Sequence, residues 1–297
     1  MAKNRQNVVT LGVFDGIHRG HRSLFSRVIR RAQRVGGTAV VYTFDPHPAA
    51  VLVPESCPPM IMTLQQRVRA IQDLGIRKVV VQKFTRRFSR LSPEAFFRRV
   101  MIGRLRASEI FVGYNFTFGF HRSGTAEHLD RFGRQTGIPV HVIDPYLWRE
   151  TLVSSTQIRQ LLTRGQLRPA NELLGRRYSM EGRVIRGRGI GGRELGIHTA
   201  NLKPENDQIL PTGVYATYAW TGGRRFRSVT NIGPNPTFGP GPLSVETHLL
   251  DFSRSILGKE IRVEFVEKLR EEIAFASPGD LARQIHNDIR TARTHLK

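Results

Sequence analysis

Residues 8–21 read VVTLGVFDGIHRGH, and this stretch decides the fold of the first half of the chain. The apolar run Val8–Leu11 is typical of a buried strand, and a helix pattern follows from about Arg19 to Arg34. A glycine-rich turn between a strand and a helix allows a ligand to approach the backbone closely. The free N–H groups and the positive dipole end of the helix favour phosphate there. The stretch therefore predicts a phosphate site directly after the first strand.

Strand and helix patterns alternate through the rest of this half. Short apolar strands separated by helices indicate a parallel, Rossmann-like sheet covered on both faces, which is an α/β fold. Ligands of such sheets bind beyond the carboxyl ends of the strands. The predicted strands are Thr38–Phe44, Lys78–Val81, Glu109–Val112 and Val140–Ile143, and the predicted helices are Thr63–Leu74 and Ser92–Met101.

From about Tyr178 the pattern changes to consecutive strands with Gly/Pro turns and no helix between them. This pattern predicts a small antiparallel barrel or sandwich. A final helix is expected after the N-cap Ser277, with Pro278 at its first position. Helices at Ser155–Thr163 and near Pro169–Leu174 join the halves. We therefore expect two domains, 1–176 and 177–297.

Composition excludes several classes of protein. The chain has 297 residues, 39% of them hydrophobic, which is typical of a folded domain rather than a disordered chain. The single cysteine, Cys57, excludes an internal disulfide framework and a cysteine-based zinc site. No apolar run approaches the ~18 residues of a membrane span. The expected location is the cytoplasm, with no membrane partner.

The basic charge is concentrated in the first half. The formal net charge is +22, of which residues 1–178 carry +18 and residues 179–297 carry +4. Arginine supplies 39 of the 46 basic side chains, a bias that a GC-rich coding sequence would also produce. Such a field attracts nucleotides or nucleic acid and does not distinguish between them.

The spacing of His18 and His21 is weak evidence when taken alone. For an isolated pair, a surface histidine pair at the start of a helix is the better explanation. The surrounding residues strengthen the functional interpretation, because the string GVFDGIHRGH (12–21) resembles the His-x-Gly-His signature of the nucleotidyltransferase superfamily. The fuller string resembles the prokaryotic bifunctional riboflavin kinase/FAD synthetase family. Further strings match that family in order: TFDPHP (43–48), VGYNFTFG (112–119), RSG (122–124) and VSSTQIR (153–159).

This resemblance implies that the first domain transfers AMP from ATP to FMN. His18 and His21 would stabilise the phosphate oxygens in the transition state. The hydroxyl groups at the start of the next helix would hold the β- and γ-phosphates, and Arg159 would add a cationic fork. Roles for His47 and Arg122 stay open between structure and ligand contact. The residues expected to bind ATP or phosphate are Gly12, Phe14, Asp15, Gly16, Gly20, Asn115, Ser154, Ser155, Thr156 and Arg159.

The second half begins with a glycine-rich stretch over residues 182–202. It could cradle phosphate through backbone N–H groups or form a long flexible hairpin. The strings that follow resemble the riboflavin kinase module of the same family: GVYA (213–216), NIGPNPTF (231–238), VETHLLDF (245–252) and LREE (269–272) with Phe275. The resemblance implies a six-stranded barrel with a C-terminal helix.

The same resemblance assigns roles in the second domain. Gly187 and Gly196 would bind ATP phosphates, Thr199 and Asn201 would hold Mg²⁺ and ATP, and Glu246 would act as the general base on the riboflavin 5′-hydroxyl. One departure is His198, which stands where the family motif has proline. Because proline restricts the backbone, its loss is expected to loosen this loop, and His198 could itself bind phosphate or change the pH dependence. The metal and base positions remain, so a working but weakened kinase is expected.

The leading hypothesis is therefore a two-site transferase that makes FMN from riboflavin and then FAD from FMN, using ATP and Mg²⁺ at both steps. One alternative is an FMN adenylyltransferase whose barrel only binds flavin. A second is a basic nucleic-acid-binding protein on a nucleotidyltransferase fold. The oligomeric state stays open. No recognised nucleic-acid motif accompanies the charge, and aromatic residues are not interleaved with basic ones, which makes a nucleic-acid partner the weaker expectation.

Overall fold

The computed structural model describes residues 6–187, 198–234 and 243–297. The chain divides into two compact units, Met1–Ser155 and Thr156–Lys297. Within the described ranges, no helix is both long enough and apolar enough to cross a bilayer.

The first unit is built on a parallel five-stranded sheet. The strands described in this unit are β1 Asn7–Leu11, β2 Thr38–Asp45, β3 Lys78–Lys83, β4 Ala107–Gly113, β5 Thr117–Phe118, β6 Gly124–Thr125, β7 Val140–Ile143, β8 Leu147–Trp148 and β9 Thr151–Leu152. The main sheet has the order β3-β2-β1-β4-β7, and every neighbouring pair in it is parallel. Strands β5 and β6 form one small ribbon, and β8 and β9 form another. The predicted α/β sheet is confirmed.

Helices pack on both faces of this sheet. They are α1 Arg19–Arg34, α2 Pro48–Leu52, α3 Leu64–Asp73, α4 Arg86–Ser89, α5 Pro93–Phe96 and α6 Ala126–Thr136, with 3₁₀ turns at Pro54–Ser56 and Phe120–Arg122. Val9 and Leu11 of β1 belong to one apolar core with Phe96 of α5 and Leu129 of α6. Helix α1 contacts β1, β2 and β4 and buries an apolar face that includes Phe25 and Val28.

Two details of this unit differ from the sequence-based expectation. The helix predicted at Ser92–Met101 is α only over Pro93–Phe96 and continues as a π-helix over Phe97–Arg104. The N–H of Leu105 accordingly bonds the carbonyl of Val100, five residues back. Helix α6 was not predicted, although its N-cap Thr125 forms a capping box with His128.

The second unit contains a closed antiparallel barrel. The strands described in this unit are β10 Tyr178–Ile185, β11 Ala200–Pro204, β12 Gly213–Thr221, β13 Arg224–Gly233, β14 Ser244–Leu249 and β15 Glu260–Arg270. They close in the order β10-β11-β14-β13-β12-β15, which confirms the predicted six-stranded barrel. Side chains alternate along β14, so that Val245, Thr247 and Leu249 are buried while Glu246 lies on the outer face.

The helices described beside the barrel strands are α7 Ser155–Thr163, α8 Leu167–Leu174 and α9 Pro278–His295. Helix α9 begins at the predicted N-cap Ser277 and packs Ala292 and Leu296 over Val214 and Val229 on the outer surface of the barrel. Helix α8 contacts β10 and β15. The barrel also carries Trp220, which stacks under the guanidinium of Arg262 at 4.8 Å from the ring centroid.

The predicted domain boundary near residue 176 stays a prediction. By contacts, α7 and α8 belong mostly to the second unit, which begins at Thr156.

Candidate active sites

The two histidines lie together at the start of α1. His18 is the N-cap of the helix, and its Nδ1 accepts a hydrogen bond of 3.3 Å from the backbone N–H of His21. Because Nδ1 accepts, the proton of a neutral His18 lies on Nε2. The two rings stack with their centroids 3.6 Å apart. The sequence therefore gives a paired imidazole site at a helix N-terminus.

Burial keeps His21 uncharged. Desolvation, followed by the nearby His18, lowers the pKa of His21 well below its ordinary value of 6.5. Among the described residues, Nδ1 of His21 is buried and has no hydrogen-bond partner. The Phe14 ring meets the His21 ring edge-on at 5.2 Å. A neutral imidazole held in this way still has one N–H that can donate a hydrogen bond, whereas its protonation is favoured only when a ligand supplies the countercharge.

The turn between β1 and α1 has strained backbone. Phe14 and Ile17 have positive φ angles of 55° and 41°, which side chains other than glycine rarely adopt, and Gly16 between them has 83°. The carbonyl of Tyr42 on β2 accepts a hydrogen bond of 3.1 Å from Gly12 N–H. Strain of this kind persists where surrounding structure holds it, and such positions cluster at functional sites.

Asp15 braces this turn through its carboxylate. Both of its oxygens accept backbone hydrogen bonds, from Ile61 N–H at 3.0 Å and from Met62 N–H at 3.1 Å. The side chain is 2% exposed. Its backbone carbonyl accepts a hydrogen bond of 2.8 Å from Ser155 Oγ. These contacts give Asp15 a positioning role, and its assignment to phosphate binding stays a prediction.

Arg67 is a buried residue that the sequence pattern did not single out. Its side chain is 1% exposed, and its Nη1 and Nη2 donate to the carbonyls of Val13 at 2.6 Å and Phe44 at 3.1 Å. Burial lowers the pKa of this guanidinium, while Asp15 and Asp45 oppose that change. Arg67 thereby joins the turn after β1 to the end of β2.

The β8–β9 hairpin packs against the first turn of α1. The guanidinium of Arg19 stacks on the Trp148 ring at 3.7 Å from its centroid. An ideal Cβ on Gly20 would lie 3.2 Å from His18 Nδ1 and 3.3 Å from Tyr146 Cβ. Space therefore favours glycine at position 20, because a larger residue would have to shift the His18 ring or the hairpin by a few tenths of an ångström.

The structure gathers only part of the predicted ATP site. Gly12, Phe14, Asp15, Gly16, Gly20 and both histidines share one turn, and Ser155 is bonded to it. Asn115 is exposed in the turn after β4, which ends at the same edge of the sheet. Ser154 precedes α7, and Thr156 and Arg159 lie on that helix in the second unit. His47 caps α2 through Nδ1, which accepts from Ala49 N–H at 3.0 Å, and Arg122 is exposed.

The second predicted site is a row of polar side chains across the outer face of the barrel. Glu246 of β14 is the register partner of Asn201 on β11 and of Asn231 on β13. Residues directly opposite each other in paired strands share a face, so the three side chains lie side by side. Thr199 Oγ1 donates to Glu246 Oε2 at 3.4 Å. The predicted metal-binding pair and the predicted base are therefore neighbours.

The glycine-rich stretch is described at its two ends. Gly187 lies directly on Asn201, because an ideal Cβ there would come within 2.0 Å of the Asn201 Nδ2 atom. Gly196 lies outside the described residues, as do the other residues of 188–197. His248 Nδ1 hydrogen-bonds the carbonyl of His198 at 2.8 Å. This bond anchors the residue that replaces the motif proline to the strand bearing Glu246.

Comparison with known protein families identifies both halves. The FAD synthetase family model matches residues 1–157, and the riboflavin kinase family model matches residues 174–296. A Pseudomonas fluorescens relative is 34% identical over 98% of this chain and 93% of its own length. Relatives from Bacillus subtilis and Escherichia coli K12 are 35% and 33% identical, covering 95% and 96% of this chain and 90% and 91% of theirs. All three bear the name bifunctional riboflavin kinase/FMN adenylyltransferase.

A solved structure also resembles the whole chain. It is a Streptococcus pneumoniae protein named as a macrolide-efflux protein, with a TM-score of 0.87 and 28% identity, and the match covers 99% of this chain and 95% of that one. Its name describes a transport role, whereas both family models that match this chain describe flavin chemistry.

Proposed function

The chain belongs to the bifunctional riboflavin kinase/FMN adenylyltransferase family, and on that premise we propose how its residues divide the two reactions. The second unit transfers the γ-phosphoryl group of ATP to riboflavin and releases ADP. The first unit then joins FMN to the AMP part of ATP and releases pyrophosphate. Flavin and ATP are thus substrates of both sites, and FAD is the final product. Because ATP is made and held in the cytoplasm, we place both reactions there.

The stacked His18–His21 pair is the observation that carries the adenylyl transfer. An FMN phosphate oxygen attacks the α-phosphorus of ATP, and the bond from that phosphorus to the leaving pyrophosphate breaks. No covalent enzyme intermediate is needed, so the protein must align the reactants and stabilise negative charge. In neutral His18 the proton lies on Nε2, and we assign that N–H as the donor toward a phosphate oxygen; His21 becomes a stronger donor once the bound anion favours its protonation.

The remaining phosphate ligands of the first reaction are assigned from their match to the motifs of the family. Gly12, Phe14, Gly16 and Gly20 offer backbone close to the bound nucleotide. Ser154, Ser155 and Thr156 supply hydroxyl groups around the start of α7, and Arg159 on that helix supplies a fixed cation. Asn115 orients the nucleotide from the turn after β4.

The register of Asn201, Glu246 and Asn231 carries the kinase reaction. Glu246 takes the proton of the riboflavin 5′-hydroxyl, whose oxygen attacks the γ-phosphorus while the bond to the leaving ADP breaks. Thr199 and Asn201 offer neutral side-chain oxygens, and these fit a hard cation that obtains its other ligands from phosphate and water. Mg²⁺ bound there would neutralise charge on the phosphates. Gly187 and Gly196 would admit the phosphates close to the backbone.

One assay tests both assignments. The purified chain with riboflavin, ATP and Mg²⁺ is expected to form FMN first and then FAD. Chromatography of the flavins over time measures both products. The double variant His18→Ala/His21→Ala is expected to stop at FMN, and Glu246→Ala is expected to convert added FMN but not riboflavin. Loss of both reactions in either variant would contradict the two-site assignment. A wild-type chain that converts FMN but not riboflavin would instead favour an adenylyltransferase with a flavin-binding barrel.

A further inference from the structure

The polar row on the barrel continues beyond the predicted kinase residues. Asn231, next to Glu246 in register, donates from Nδ2 to Oε1 of Glu272 at 3.4 Å. Glu272 follows the end of β15, and the chain reaches it 41 residues after Asn231. Two carboxylates therefore flank the Asn231 side chain.

Gly233 makes room for this second carboxylate. An ideal Cβ on Gly233 would lie 2.1 Å from Glu272 Oε1 and 2.8 Å from Oε2, so any larger residue would push the Glu272 side chain away. The φ angle of Gly233 is not in the left-handed region, which means that space and not backbone conformation calls for glycine. The Glu272 carboxylate is thus seated on the backbone at the end of β13.

The segment bearing Glu272 is fixed by α9. The Arg270 guanidinium forms a bidentate pair with Asp288 of α9, with Nε–Oδ1 at 2.9 Å and Nη2–Oδ2 at 2.7 Å. Its Nη1 also donates to the carbonyl of Glu271 at 2.9 Å. The Asp288 side chain is only 6% exposed, so this pair is shielded from water on the helix side. The clamp fixes the chain directly before Glu272, whose own side chain is exposed to solvent and contacts Asn231.

Asn231 retains an unused hydrogen-bond acceptor in this row. Its Oδ1 is buried and, among the described residues, has no partner. A buried acceptor without a partner is costly unless a ligand or water donates to it. The row therefore presents acceptors at Glu246, Asn231 and Glu272, which matches a ligand bearing several neighbouring hydroxyl groups.

We propose that Asn231 and Glu272 bind hydroxyl groups of the ribityl chain of riboflavin and so determine acceptor specificity beside Glu246. This inference rests on the proposed kinase function. The polyol chain continues from the 5′-hydroxyl that Glu246 activates, so its next hydroxyls would face the next side chains of the row. Glu272 holds the acceptor and takes no proton in the reaction.

Steady-state kinetics of the full chain test this role. Because hydrogen bonds to charged groups are the strong ones, Glu272→Ala is expected to raise the KM for riboflavin about tenfold or more, with the KM for ATP unchanged. Glu272→Gln keeps one acceptor oxygen and should recover part of that loss. Gly233→Ala should reproduce the effect by displacing the carboxylate. The matched control is Glu271→Ala. It removes a neighbouring carboxylate that pairs with Lys268 and lies outside the row, so the KM for riboflavin should not change.

Three riboflavin analogues, each lacking one ribityl hydroxyl, provide the decisive comparison. For the wild-type chain, the KM of one analogue should exceed the KM of riboflavin by about the factor by which Glu272→Ala raises the KM of riboflavin. For the Glu272→Ala variant, the KM values of that analogue and of riboflavin should be equal. Equal discrimination in both proteins, or a rise in the KM for ATP, would overturn the proposal. Calorimetric titration separates it from the kinase assignment. Suppose that the wild-type chain makes no FMN yet binds riboflavin with an affinity that depends on Glu272. This result would contradict the kinase assignment and still support the proposed binding site.

Discussion

Gly20, which has no side chain, leaves just enough space for the His18 ring. Gly20→Ala would place a methyl group 3.2 Å from His18 Nδ1 and 3.3 Å from Tyr146 Cβ, so the ring or the hairpin must move. We expect FMN adenylylation to fall about tenfold or more, because small displacements of a group that contacts the reacting atoms are costly. Riboflavin phosphorylation should be unchanged, and separate assays of the two steps measure both.

A matched control for this substitution is Gly103→Ala. The added Cβ at position 103 meets only the Arg98 carbonyl, at an ordinary 3.4 Å. Equal losses of adenylylation in the two variants would contradict a specific role for the space at Gly20.

Burial of His21 predicts a pH dependence of stability. The pKa of His21 is lowered in the folded chain from its ordinary 6.5, so the unfolded chain binds a proton that the folded chain resists. Stability from the neutral ring is therefore fully present above about pH 6.5 and is lost as the pH falls below it. We expect His21→Asn to flatten the decline in melting temperature between about pH 7.5 and 5.5.

Thermal melts of the wild type and of His21→Asn over that pH range check this prediction. The control variant is His286→Asn, at an exposed position of α9. Parallel curves for the wild type and His21→Asn would show that the buried ring does not control the decline.

At the scale of elements, Arg67 fastens the turn after β1 to the end of β2. Arg67→Met fills a similar volume but leaves the carbonyls of Val13 and Phe44 without their donors. Because removing one partner of a buried charged network is strongly destabilising, we expect the free energy of unfolding to fall by about 3 kcal/mol or more. Urea denaturation measures it. Arg134→Ala, which removes an exposed i,i+4 pair with Asp130, should change it by less than about 0.5 kcal/mol.

Elements with local signals were predictable from the sequence. Helices α1 and α7 begin and end where the patterns placed them, because an N-terminal polar residue and an apolar stripe lie within the segment itself. The parallel pairing in the first unit and the antiparallel pairing in the second follow from the alternation of strands and helices in one half and its absence in the other, whereas the order of the strands does not. The π-helical turn after Phe96 has no comparable signal, since tertiary packing decides its hydrogen bonds.

The candidate sites were predictable to a similar extent. His18 and His21 are three residues apart, so their pairing follows from local chain geometry. Arg67 resembles any polar residue on an amphipathic helix, and its burial depends on carbonyls 54 and 23 residues away. The contact of Glu272 with Asn231 depends likewise on how β13 and the end of β15 are arranged in the barrel.

For the whole molecule, the uneven charge predicts different responses to salt. The first 178 residues carry +18 and face a phosphorylated acceptor, whereas the remaining residues carry +4 and face neutral riboflavin. Screening weakens attraction between exposed charges, so raising the ionic strength from about 50 to about 500 mM should raise the KM for FMN severalfold. The KM for riboflavin should change less than about twofold. Equal increases in the KM for FMN and the KM for riboflavin, measured at fixed Mg²⁺, would contradict this division of charge.

The chain has two tryptophans, and each unit holds one of them. Trp148 stacks on Arg19 beside the histidine pair, and Trp220 stacks on Arg262 in the barrel. Each unit therefore carries its own fluorophore, and Trp220→Phe or Trp148→Phe leaves emission from one unit alone. Bound flavin absorbs where indole emits, so quenching of the remaining tryptophan would report flavin binding to the chain without any added label.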